Sequence, residues 1–151
     1  MDVSDLDAAG KFRADASADH FLCRITFEGD LPDGMVAVGD RECIAAFSRL
    51  CTHMSCYLVD ATSGTLPLDD DGRVRCQCAC HYSSFDLEKH GLPINAPATA
   101  CLPQIRLQRV PENPELPLEG VELAGWMANA SVPYGVPYGG TSARPAADSE
   151  S

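Results

Sequence analysis

From His20 to Phe27 the chain reads HFLCRITF, and a second apolar run, ECIAAFSRL, follows at residues 42–50. Between them stands MVAVGD, residues 35–40, set off by the turn residues GDLPDG and GDR. Short apolar runs bounded by Gly, Pro and Asp predict strands. ECIAAFSRL also suits a short helix, but its place between a GD turn and a cysteine-rich loop favours a strand. IRLQRV, residues 105–110, alternates apolar with polar side chains as a half-buried strand does. RVRCQ after the DDDG turn predicts another short strand, and GVELAGWM, residues 120–127, a last one. SSFDLEKHGLP reads as a strand and turn, YLVDATSGTLPL as a loop or hairpin, and NAPATACLPQ and VPENPELPLEG as proline-rich connections. With many short strands, no long amphipathic helix and no internal repeat, the pattern predicts an all-β domain.

This pattern divides the chain into three. Residues 1–19 are polar and acidic and are expected to be flexible. Residues 20–127 carry the strands. Residues 128–151, rich in Pro, Gly, Tyr and Ser, are expected to form an irregular tail. At 151 residues the chain is long enough for one domain to bury about 68–70% of its unfolded surface, so disulfides are not needed merely to make a core.

The formal charge of −11 argues against a nucleic-acid partner, because phosphate repels such a surface. No apolar run reaches the roughly 18 residues of a membrane helix. The opening MDVSDLDAAGKFRADASADH has neither a basic start nor an apolar stretch, so it is expected to be neither a signal peptide nor an anchor.

Composition adds one more feature: eight cysteines, five of them in two short stretches. CTHMSC, residues 51–56, places His53 between Cys51 and Cys56; CQCACH, residues 76–81, places His81 after Cys76, Cys78 and Cys80. Thiolate and imidazole together suit zinc or an iron–sulfur centre. A zinc site more usually begins C-x-x-C, which lets two sulfurs converge on one tetrahedral ion. The pattern here is C-x-H followed by C-x-x-H, with one further cysteine in each loop.

In these residues the chain resembles the Rieske family, whose pattern is C-T-H-x-x-C and C-x-C-H-x-S. The resemblance implies an all-β fold of stacked antiparallel sheets, with a cluster-binding subdomain inserted at about residues 48–104. It implies one [2Fe–2S] cluster, with Cys51 and Cys78 on one iron and His53 and His81 on the other. It also implies a Cys56–Cys80 disulfide joining the two loops; dioxygenase-type members lack that bridge. Four thiolates give an oxidised cluster about two net negative charges, whereas two thiolates and two neutral imidazoles give about none. Rieske centres therefore accept an electron more readily, at about −150 to +300 mV against about −400 mV for plant-type ferredoxins. In the family a serine at the Ser83 position donates to a bridging sulfide, and a tyrosine at the Phe85 position donates to a ligand sulfur in the high-potential respiratory members. Here the serine is kept and the tyrosine is replaced by phenylalanine.

The segments ECIAAFSRLCTHMSC, HYSSFDLEKHG and ATACLPQIRL are similar to the small subunit of arsenite-oxidase-type molybdoenzymes, to which iodate reductases are related. That similarity implies one-electron transfer between a molybdopterin-containing large subunit and a cytochrome c-like carrier, with no substrate chemistry in this chain. It implies a periplasmic or otherwise exported complex. Two other functions are weighed: a free-standing Rieske ferredoxin feeding an oxygenase, and a zinc-stabilised interaction module.

The remaining candidates have blander expectations. Cys23, Cys43 and Cys101 are expected in the core as small hydrophobes, and Cys76 has no assigned role. His20 and His90 are expected to be solvated, Trp126 to lie in the core or a partner interface, and Asp69–Asp71 to form a solvated turn rather than a calcium site.

Overall fold

The computed structural model describes residues 1–14, 20–50, 56–59, 63–78, 82, 84–95 and 101–127. They form ten strands: β1 (Lys11–Ala14), β2 (His20–Thr26), β3 (Val36–Ala37), β4 (Glu42–Ser48), β5 (Ser63–Thr65), β6 (Arg75–Gln77), β7 (Ser84–Asp86), β8 (Leu92–Asn95), β9 (Gln104–Val110) and β10 (Gly120–Met127). One 3₁₀ turn, Leu87–Lys89, follows β7. The strands build two sheets. The larger has the order β10-β9-β4-β2-β1-β5, with β3 also paired to β4; the smaller has the order β6-β7-β8. Every pairing is antiparallel, as the all-β reading expects.

Strand periodicity explains the two cores. Side chains of a strand alternate between faces, so Phe21, Cys23 and Ile25 of β2 join Cys43, Ala45 and Phe47 of β4 on one face. Leu22, Ile44 and Ala46 point the other way, to Ile105, Leu107 and Val121. Because β4 is buried on both faces, its sequence is a continuous apolar run without alternation. That is why ECIAAFSRL was also compatible with a helix. Phe21, Phe47 and Phe85 are fully buried, each contributing about 1.5–3 kcal/mol of transfer free energy.

β4 also organises the insertion. One of its edges pairs with β2 along the whole strand; the other takes β3 at Cys43 and Ile44, then β9 at Ala46 and Phe47. The chain thus leaves β4 at Ser48 and returns beside it at Gln104. Residues between those points build the small sheet, although β5 reaches back to pair with β1.

Several expectations are corrected. The N-terminal segment, expected to be flexible through residue 19, is packed as far as it is described. Val3 and Leu6 are buried in the second core, and β1 pairs with β2 on one side and β5 on the other. The LPIN stretch, read as part of a turn and a proline-rich loop, forms β8; its Pro93 is accommodated because β8 is an edge strand. His90, expected to be solvated, takes a left-handed conformation at the end of the 3₁₀ turn. Its Nδ1 lies 2.7 Å from Gln104 Oε1. The fully buried Gln104 uses its Nε2 to donate to the Asp33 carbonyl, so its Oε1 is an acceptor and His90 Nδ1 is the donor. Of the two places expected for Trp126, the core is excluded, since it is 62% exposed on β10.

The DDDG turn is as expected. Asp69 Oδ1 accepts from the backbone N–H groups of Asp71 and Arg73, both at 2.9 Å, and Gly72 supplies the positive φ of 80°. Those backbone donors, that of Arg73 foremost, hold the Asp69 carboxyl below its ordinary range. Among the described residues no group of metal-ligating side chains is assembled here or elsewhere.

Candidate metal centre

The first cysteine-rich stretch lies in the connection of an antiparallel pair, and the second begins in β6 and runs into the connection to β7. Leu50 pairs with Tyr57 across the first, and Leu58 N–H donates to Arg49 O at 2.6 Å. Gln77 pairs with Ser84 across the second. Of the expected ligands, Cys78 is described; Cys51, His53 and His81 lie outside the described residues, as do Cys80 and Ser83.

Cys78 follows β6 directly. It is a free thiol and 1% exposed. Its carbonyl accepts from Tyr82 N–H at 2.8 Å, and Tyr82 turns the chain with φ of 65°. Gln77 Nε2 donates to Tyr82 O at 3.2 Å, so both ends of the connection are tied. Cys76, two residues earlier, is buried on the same face, paired with Phe85 on β7. Cys76, Cys78, Phe85 and Leu87 pack with Leu58, Val59 and Leu102 against the β2–β4 face of the large sheet. The floor beneath the two connections is therefore apolar and dry.

Arg49 clamps the base of the first connection. It is 5% exposed, its guanidinium lies 4.4 Å above the Tyr57 ring, and Nε and Nη2 donate to Val59 O at 3.4 and 3.3 Å. A cation over an aromatic face is stabilised electrostatically, more so when desolvated. The tyrosines beside the two connections, Tyr57 and Tyr82, are both exposed.

An ionic cluster fixes the other end of the β6–β7 hairpin. Asp86, 5% exposed, lies 3.2 Å from both Arg73 Nη2 and Arg75 Nη1. Arg73 also pairs with Glu88 at 2.8 Å and Arg75 with Asp69 at 2.6 Å. Glu88 Oε2 accepts from Glu28 N–H at 2.8 Å, which ties the hairpin to the loop after β2. Arg75 Nη1 and Glu88 Oε1 make their contacts without hydrogen-bond alignment, so those contacts are coulombic. Neither Arg49 nor this cluster was singled out from sequence. Their one signal was charge inside apolar surroundings, FSRL and RVRC.

The cysteines sort by environment. Cys23, Cys43, Cys76, Cys78 and Cys101 are all buried, and Cys56 is partly buried against the same core. Burial, with Glu88 and Glu42 nearby, pushes the Cys43 thiol up to about 12. Burial followed by the neighbouring Cys76 and Cys43 pushes Cys23 well above its ordinary value. A ligand sulfur is a thiolate, so Cys23 and Cys43 act as packing groups; Cys43 Sγ sits 3.6 Å from Met35 Sδ. A cavity of about 270 Å³ opens between the N-terminal segment, Arg24 and Leu118, and none of the expected ligand residues lines it.

The residues present fit a mixed-ligand iron–sulfur cluster. A buried free thiol, Cys78, stands at the start of one connection and a partly buried cysteine, Cys56, at the end of the other. In sequence the two connections add Cys51, His53 and His81, and the described residues that flank them pack into an apolar core. Iron held by thiolate and imidazole is the chemistry this donor set supplies.

Comparison with known proteins agrees. Residues 15–106 match the family described as Rieske [2Fe-2S] domain. The chain is similar to a cytochrome bc1 complex Rieske iron-sulfur subunit of Corynebacterium diphtheriae, 36% identical over 62 residues, covering 40% of this chain and 13% of the relative. It is similar to the corresponding subunit of Streptomyces lividans, 35% identical over 66 residues, covering 44% and 34%. It is also similar to the iodate reductase subunit IdrB of Denitromonas iodatirespirans, 35% identical over 75 residues, covering 47% and 35%. The chain thus spans about a third or less of the length of these relatives.

Proposed function

The chain belongs to the Rieske [2Fe–2S] family, and on that premise we propose that it is the electron-transfer subunit of an arsenite-oxidase or iodate-reductase type molybdenum oxidoreductase. Rieske-type electron transfer through one [2Fe–2S] cluster is the function of the family domain. When bound, the cluster takes up and gives back one electron at a time. In the proposed assignment Cys51 and Cys78 hold one iron, His53 and His81 hold the other, and Cys56 pairs with Cys80 to tie the two loops. The chain's own residues do the rest. Phe85, Leu87 and Leu102 keep water from below, Arg49 clamps the first connection through Val59 and Tyr57, and the Asp86 cluster anchors the second.

The observation that carries the molybdenum reading is the extent of likeness. It runs over 75 residues with the iodate reductase subunit, against 62 and 66 with the two bc1 subunits. In this reading the chain relays electrons between the molybdopterin-containing large subunit and a cytochrome c-like carrier, and the complex is exported as a unit. The bc1 subunits, at 35 and 36% identity, favour a second reading as a respiratory Rieske subunit. Purification from the native cells separates the two. Molybdenum and iron co-eluting with the chain in fixed proportion, with electrons passing on to cytochrome c, is the expected result. Co-elution with a cytochrome b and no molybdenum would overturn it.

A further inference from the structure

β10 ends the large sheet, with β9 on its inner side. Among the described residues, Met1 pairs with its outer edge: Val121 N–H donates to Met1 O at 2.8 Å, and the N-terminal ammonium donates to Val121 O at 2.7 Å. The edge therefore accepts an added strand. Leu123, two residues on, lies opposite Leu107, whose own N–H donates away from β10 to Gly34 O. This makes Leu123 and Leu107 a non-hydrogen-bonded pair, so the N–H and C=O of Leu123 face outward as those of Val121 do. A register shift between Leu123 and Gly125 then bends the strand. Leu123 is 43% and Trp126 62% exposed. Edges are normally blunted by charge, proline or a cover; this one presents Leu-Ala-Gly-Trp. Exposed tryptophan at an apolar patch is the residue type that dominates interface energetics.

Charge selects the occupant. Glu112, Glu115, Glu119 and Glu122, in the connection before β10 and in the strand itself, are all exposed. The neighbouring Arg106 is engaged with Asp33. A second copy of a chain of net charge −11 would bring the same carboxylates against this rim. A partner strand flanked by Lys and Arg would complement it. We propose that the edge of β10 from Leu123 to Trp126, open among the described residues, is where the larger subunit of the complex docks, by adding a basic-flanked strand to this sheet. The inference rests on the reading of the chain as a subunit of a molybdenum enzyme.

Trp126 is the chain's one tryptophan, so 5-fluorotryptophan labelling gives a single ¹⁹F resonance. The test titrates the cluster-loaded full chain with the purified molybdenum-containing large subunit. The resonance should shift and lose its response to solvent D₂O. Trp126→Ala and Leu123→Pro should each weaken binding at least tenfold, about 1.4 kcal/mol, while leaving the visible spectrum and potential of the cluster unchanged. Proline at Leu123 removes an outward N–H and spares the β9 ladder. Unchanged affinity in both variants, or a Trp126 that stays solvent-exposed in the complex, overturns the docking site and leaves the functional reading standing. Self-association through the same residues, or a Trp126 buried by residues 128–151 in the free chain, also overturns it. A large subunit that does not bind wild type overturns both.

Discussion

Phe85 is fully buried on β7, opposite Cys76 and packed in the same core as Cys78. A hydroxyl placed on its ring has no water to meet, so it must find an acceptor among the sulfurs or cost stability. A donor to a ligand sulfur stabilises the added electron, which raises the potential. If half of about 1.5 kcal/mol separates the redox states, the shift is about 30 mV. Phe85→Tyr should therefore raise the potential by roughly that amount, and Ser83→Ala should lower it similarly; voltammetry on the two variants decides it. A second residue-scale prediction concerns Asp69, whose carboxyl is held low by backbone donors. Its folded value lies below the unfolded value of about 3.9. Its stabilising contribution is thus present above about pH 3.9 and is lost as pH falls through the lower folded value. Asp69→Ala should have a lower Tm than wild type at neutral pH, and thermal scans should show the gap closing under acid. A gap that widens under acid would contradict the role given to those N–H donors.

At the scale of elements, the β6–β7 hairpin is held at one end by the Asp86 cluster and at the other by the loop that carries Cys78. Asp86→Ala leaves Arg73 without one of two carboxylates and leaves Arg75 with Asp69 alone. Breaking a buried pair costs about 3–5 kcal/mol; with arginines about a fifth exposed, a loss near the lower end is expected in urea unfolding of the holo protein. Opening the proposed Cys56–Cys80 bridge with paired Ser substitutions should cost about 2–5 kcal/mol and speed cluster loss to chelators. Intact-mass measurement showing Cys80 as a free thiol would refute that pairing. The longer strands were legible because burial imprints alternation or a continuous apolar run on them. β1 and β8 were not. KFRA is four residues in a polar context and exists through pairing with β2 and β5; LPIN contains a proline that only an edge position tolerates. The Arg73–Arg75–Asp69–Asp86–Glu88 cluster is likewise nonlocal, since nothing in the spacing of its residues says that they converge.

On the scale of the whole molecule, two sheets share a core, and the family motif falls in two connections, one after β4 and one between β6 and β7. The motif was legible because cluster ligation demands particular residue types at short fixed spacing. The core was legible only in part: Cys23, Cys43 and Cys101 read correctly as buried, whereas Arg49 and the part-buried Gln104–His90 contact depend on folding distant segments together. The most direct test is film voltammetry of the isolated chain across pH. With two imidazoles on one iron, reduction takes up a proton once the oxidised imidazoles titrate. The potential should lie at about −150 to +300 mV and fall at alkaline pH by up to about 59 mV per unit for one proton per electron. A potential near about −400 mV that does not move with pH, or a colourless protein holding zinc and no iron, would contradict it.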